Sequence, residues 1–119
     1  MIEQRDLSER LLEYGAQVIK FVESLPRTLT ARRIGDQLLR SATSVGANYK
    51  EAQGAESKGD FVHKLQVALK EMRESHYWLR LLAKAETVPI ERLVPLIEEA
   101  TQLRAMLSKA VATVKGKAK

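Results

Sequence analysis

The chain has no cysteine among its 119 residues. Disulfides, cysteine-ligated zinc and thiol catalysis are therefore excluded, and the composition suits a reducing compartment. Aromatic residues make up only 5% of the chain, with a single tryptophan. A base-stacking platform like that of single-strand binders is not apparent from so few rings. Long apolar runs are missing as well, and none approaches the roughly 18 residues that span a bilayer. The mixed-charge start Met1-Ile2-Glu3-Gln4-Arg5-Asp6 holds no signal-peptide core. The expectation is a soluble, cytoplasmic protein without a membrane partner.

Familiar chemical motifs are absent too. Di-metal bundles need Glu-x-x-His pairs projecting inward from two helices. Here Glu71 is followed three residues on by Glu74, His76 is preceded by Arg73, and His63 stands alone. No phosphate loop and no dinucleotide fingerprint occurs. No spacing supports a Ser-His-carboxylate arrangement. The sequence therefore predicts no catalytic residue, no metal and no cofactor.

What is present is a folded domain's balance, 45% hydrophobic and 29% charged residues. The net charge is +5, and the excess grows along the chain. Residues 1–25 carry three basic and five acidic groups, residues 87–119 six and three. This balance favours polyanions; a solvated face that keeps the protein soluble is the plain alternative.

Apolar residues recur at three- and four-residue steps throughout, the helical period. The first helix is predicted from Leu7 to Leu25, with Asp6 and Glu9 as a capping box and Leu7, Leu11, Tyr14, Val18, Val22 and Leu25 as its buried stripe. Pro26 ends it. The second runs from Ala31 to Ala55 with Thr30 as N-cap and buries Ile34, Leu38, Ala42, Val45, Tyr49 and Ala52. The third follows Ser57, runs from Lys58 to about Glu86, and carries Phe61, Leu65, Ala68, Met72, Ser75, Leu79 and Leu82 on a heptad-like seam. The fourth follows Pro89 and buries Leu93, Leu96, Ala100, Leu103, Leu107, Ala110 and Val114. Pro95 within it predicts a separate short turn or a kink. Short connections make this an all-α, antiparallel up-down-up-down four-helix bundle over residues 1–114, followed by a basic mobile tail, 115–119.

Two irregularities bear on function. Ser41, Ser44 and Asn48 lie beside the apolar stripe of the second helix, where an amide must find partners. They either fix helix register or meet a ligand or partner. On the third helix, Val67, Trp78, Leu81 and Ala85 form a second apolar cluster about 120° from the seam at 100° per residue, with Glu71 and Glu74 as a polar rim. This flank reads as an oligomer interface; a wide buried face is the other reading. Candidate phosphate contacts are Arg27, Arg32 and Arg33 at the first corner, near Lys84, and Lys115, Lys117 and Lys119 at the opposite end, near Lys58 and Arg5.

The run Arg40-Ser41-Ala42-Thr43-Ser44-Val45-Gly46-Ala47-Asn48-Tyr49-Lys50-Glu51-Ala52 carries a resemblance, together with Phe61-Val62-His63-Lys64-Leu65, Lys70-Glu71, Glu74 and Tyr77-Trp78-Leu79. These residues resemble the bacterial four-helix-bundle proteins named for 23S rRNA intervening sequences. The similarity covers almost the whole chain. Many members read Asn-Ile-Ala-Glu-Gly where this chain has Asn48-Tyr49-Lys50-Glu51-Ala52, so a role shared with members encoded inside rRNA genes does not follow. The resemblance implies a homopentameric, barrel-like assembly and no catalytic residues. A related branch, the accessory protein of diversity-generating retroelements, binds a reverse transcriptase and nucleic acid. The expected role is a non-enzymatic homo-oligomer that binds RNA (or DNA) through basic surface. The alternative is a protein-interaction scaffold, for example for a reverse transcriptase.

Overall fold

The helical period is realised along almost the entire chain. The computed structural model describes residues 4–117, with side chains for 7–116. Its elements are α1 (Gln4–Glu23), α2 (Leu29–Gln53), α3 (Lys58–Lys84) and α4 (Ile90–Lys117). No strand forms among the described residues. The connections are too short for anything but reversals, so sequential helices pack side by side and antiparallel. α2 packs most extensively on α3, followed by α3 on α4 and α1 on α2, and α1 meets α4 least. The result is the expected four-helix bundle, 47 × 24 × 21 Å.

The helix ends differ from expectation in detail. α1 begins at Gln4, so Asp6 is already helical and does not cap it; the Asp6 side chain lies outside the described residues. The cap of α2 is Thr28 rather than Thr30. Thr28 has the extended backbone that a cap requires, and its Oγ1 accepts from the Ala31 amide at 3.2 Å. Ser57, just before the expected start of α3, caps it, accepting from the Asp60 amide at 3.0 Å. α3 stops at Lys84, two residues early, because Glu86 turns left-handed (φ 53°). The amides of Glu86 and Thr87 then close on the carbonyls of Ala83 and Leu82, the paired bonds of a Schellman end. α4 is continuous through Pro95, so no separate turn forms. Pro95 and Glu91 are both exposed, and water can satisfy the carbonyl that the missing amide leaves free. Lys115 continues α4, Lys117 is its last residue, and Lys119 lies outside the described residues.

The expected stripes form most of the core, including Leu11, Val18, Leu38, Val45, Leu79 and Leu103, all fully enclosed. Val22 and Leu25 are only half-buried, because α1 ends between them and Phe21 takes the inward position. On α4, Val111 is buried while Ala110 and Val114 are partly covered. α3 buries a wider arc than its seam, adding Leu69 and His76 on the side of α4. Where α1 and α4 meet, the Arg10 guanidinium grips both oxygens of Glu99, at 3.1 and 2.7 Å.

One hydrogen bond crosses the core diagonally. Tyr14 on α1 and Ser75 on α3 are buried, with their hydroxyls 2.9 Å apart. Ser75 donates its proton to the Met72 carbonyl at 3.0 Å, so Tyr14 is the donor between the two hydroxyls. Burial, only partly offset by Ser75, pushes the Tyr14 phenol up to about 12. The pair therefore stays neutral. Replacing Ser75 with Ala orphans a buried phenol and should cost about 1–3 kcal/mol in urea unfolding. Tyr14→Phe leaves Ser75 bonded to Met72 and should cost less, about 0.5–1.5 kcal/mol. Equal losses would contradict the assigned donor direction.

Candidate nucleic-acid interface

Charge on α3 is sorted by flank. Stepping three and four residues along the helix places Lys70, Arg73, Tyr77, Arg80 and Lys84 on one outward line, and all five are exposed. Tyr77, at the middle of the line, keeps 57% of its surface exposed. Among the described residues, none of these cations makes an ion pair within 4.0 Å. The stripe borders a groove of about 560 Å³ between α3 and α4, lined by Tyr77, Arg80, Leu81, Lys84, Ile90 and Ile97. Four cations around a central ring, above an apolar floor, can hold a chain of phosphates and receive a base or sugar edge.

The opposite flank of α3 is acidic, and it is neutralised within the chain. Arg40 on α2 pairs with Glu71 at 3.2 Å and also with Glu74. Glu74 accepts the Trp78 indole N–H at 3.1 Å. Burial would raise the Glu74 carboxyl, but Arg40 and Trp78, with the nearby Lys70 charge, hold it below its usual range. The two glutamates expected as an intersubunit rim thus have partners on α2 and α3. Trp78 is half-buried and packs against the core, edge-on to Tyr77. Val67 and Leu81 are half-buried and Ala85 is exposed.

Large exposed apolar side chains occur on the other helices, Leu29 on α2 and Ile90 and Val94 on α4 among them. Leu12 is 67% and Ile19 43% exposed on α1. With Ala16, Thr43 and Ala47 they line a groove of about 520 Å³ between α1 and α2. Gly46 brings these helices close, its α-carbon facing the backbone of Leu11. Asn48 donates to the Ser44 carbonyl at 2.9 Å, so its amide is satisfied on its own helix and fixes no register across helices. The fully buried serine on α2 is Ser41, which donates to the Gln37 carbonyl at 2.9 Å.

The phosphate contacts expected from sequence are divided between the two ends of a 47 Å body. Arg27, Arg32 and Arg33 are exposed at the α1–α2 corner, where Arg27 and Arg32 share a cleft with Glu23 and Asp36. Lys115 is exposed near the far end of α4. The Lys117 side chain and all of Lys119 lie outside the described residues. Sequence reasoning missed the α3 stripe, although its three-and-four spacing was visible. Periodicity was sought among apolar residues, while here the cations share the period.

Below the stripe, His76 is buried against α4. Arg104 donates to its Nδ1 at 3.2 Å, and Nε2 lies 3.3 Å from the Thr101 hydroxyl. Thr101 spends its own proton on the Ile97 carbonyl at 2.8 Å. Nε2 must then carry the ring proton, which leaves Nδ1 as the acceptor. Desolvation first, then the charges of Arg104 and Arg80, lower the His76 pKa. The unfolded chain, with a histidine near 6.5, binds the proton more readily than the folded one. The His76 contribution to stability is therefore complete above about pH 6.5 and declines as the pH falls toward the lowered folded value. In thermal unfolding between pH 8 and 5, His76→Gln should show a weaker loss of stability in acid than the wild type. Parallel pH profiles would contradict this environment for the ring.

Comparison with known proteins agrees with the fold. A crystal structure from Bacteroides thetaiotaomicron VPI-5482, of a protein of unknown function from the S23 ribosomal protein family, superposes with a TM-score of 0.85. It shares 31% identity over 93% of this chain and 99% of that one. No curated protein matches the chain. No helix among the described residues is long and apolar enough to cross a membrane. The family model for the 23S rRNA-intervening sequence protein matches residues 3–109, and the chain belongs to that family.

Proposed function

We propose that this protein is a non-enzymatic homo-oligomer, pentameric as the resemblance implies, that holds RNA by its phosphate backbone. The observation that carries the reading is the exposed stripe Lys70, Arg73, Tyr77, Arg80 and Lys84, whose cations make no ion pair within 4.0 Å among the described residues. Cations left unpaired gain most from a polyanion, since each phosphate contact releases counterions. Lys84 extends the stripe toward Arg27, Arg32 and Arg33 at the same end of the bundle, and Lys115 stands toward the other end. RNA is the polyanion named in the family's description. Backbone and shape are what such a surface can recognise, because one tyrosine offers little base discrimination.

Anisotropy titrations with an RNA hairpin and a matched DNA duplex, between about 50 and 200 mM salt, test this. The triple variant Lys70→Glu, Arg73→Glu, Lys84→Glu should weaken RNA binding by more than about tenfold, and each lost contact should flatten the salt slope by about one. The pair Arg32→Glu, Arg33→Glu measures the corner's share. Absence of wild-type binding at the lowest salt, or an unaltered triple variant, would sink the RNA reading.

A second reading draws on the groove between α1 and α2. Its apolar lining suits a protein partner, a reverse transcriptase being one example, without nucleic-acid contact. It also suits self-association. A closed ring needs two unlike surfaces per subunit; the groove with Leu12 and Ile19, and the α3 flank with Val67, Trp78 and Leu81, are two such surfaces. Native mass spectrometry should find several copies of the wild type. Leu12→Glu with Ile19→Glu should release monomers, as should Trp78→Ala. A monomeric wild type would exclude the ring, and an unchanged Trp78→Ala mass would remove the α3 flank from it.

A further inference from the structure

The α3–α4 seam joins a buried histidine to the edge of the stripe. His76, Arg80, Thr101 and Arg104 converge there. Arg104 and Arg80 are the charges that lower the His76 pKa, and among the described residues no carboxylate lies within 4.0 Å of the ring nitrogens. Arg73 is one turn earlier on α3, and Glu98 one turn from Thr101 on α4; Glu98 makes no ion pair among the described residues. The seam therefore holds two permanent cations and a titratable ring with no counter-charge placed against them.

The hydrogen-bond directions make this arrangement conditional. Arg104 can donate to Nδ1 only while that nitrogen carries no proton. Once the ring is protonated, Nδ1–H and the guanidinium are two donors facing each other at a distance of 3.2 Å. Nε2–H keeps its acceptor in Thr101, whose own proton is committed to Ile97. The displaced pair can be satisfied by one group, an oxyanion that accepts from Nδ1–H and from Arg104 together. Arg80 adds charge from the adjacent turn of α3. In the neutral state, by contrast, the Arg104 N–H that faces the ring is satisfied by Nδ1, and no donor-to-donor clash arises between them.

We infer that the His76–Arg104 seam is a phosphate-oxyanion site whose occupancy is coupled to protonation of His76. The ligand class is a tetrahedral dianion or a phosphodiester, and the inference rests on the RNA reading only for taking its natural ligand to be a backbone phosphate. One proton is taken up as the anion enters, and it stays on Nδ1. Binding therefore tightens as the pH falls, up to about tenfold per pH unit where the free ring is neutral and the bound ring charged.

Sulfate is a suitable probe because its charge is constant between pH 5 and 8. The ring signals of His76 would be followed by NMR in sulfate and in chloride at equal ionic strength. Sulfate should raise the midpoint of the His76 titration and bind at least about threefold tighter at pH 5.5 than at pH 8. Arg104→Gln should abolish the effect. His76→Gln, which keeps a donor for Thr101, should leave any residual binding independent of pH. A His76 titration identical in sulfate and chloride overturns the inference, even if the RNA hairpin binds. If the RNA hairpin fails to bind while sulfate moves His76, the anion site stands for a small phosphate ligand and the RNA reading falls.

Discussion

The position of α3 between α2 and α4 is the constraint on which the rest depends. Like α2 it has extensive partners on both sides, and of the two it is the more extensively packed. Its buried arc is correspondingly wide, from Leu82 and Ser75 toward α2 and α1 round to His76 and Leu69 toward α4. The residues left outside must share a narrow strip, and their charges separate along its two borders. On the α2 border, Arg40 reaches Glu71 and Glu74 and closes the account within the chain. On the α4 border, Arg104 meets a histidine instead of a carboxylate. One border is electrostatically complete, and the other presents positive charge to solvent.

This asymmetry accounts for both faces of interest. Exposed ion pairs contribute little to stability because solvent screens them, so the Arg40 network is better understood as positioning. It holds the Trp78 ring against the core and keeps carboxylates away from the groove beyond Tyr77. The unpaired cations on the other border cost little while exposed, since water solvates them well. They become useful when a polyanion arrives and counterions leave. Stability itself comes from the apolar seams and the neutral Tyr14–Ser75 bond.

The helices and most of their buried stripes were legible in the sequence, because an apolar period is a local property and needs no knowledge of neighbours. Leu38, Val45, Leu79 and Leu103 follow from spacing alone. The caps were only partly legible. Thr28 and Thr30 carry the same side chain, and backbone geometry at the corner chose between them. Asn48 drew notice as a polar residue beside the core, yet its bond to the Ser44 carbonyl is within its own turn. The apolar excess on α3 was visible too, but Trp78 and Leu81 are half-buried, while Leu12 and Ile19 on α1 fall outside the seam and are exposed.

By itself, the sequence determined the class of fold, the order of its helices, the core stripes and the family, since each of these is encoded in spacing along one segment. Tertiary structure decided which charges are neutralised. Arg40 and Glu74 are 34 residues apart, Tyr14 and Ser75 61 apart, and His76 and Arg104 28 apart. Whether such groups meet depends on which helix faces which and on their rotation about their axes. Periodicity fixes a residue's face relative to its own helix, and only packing supplies the partner opposite that face.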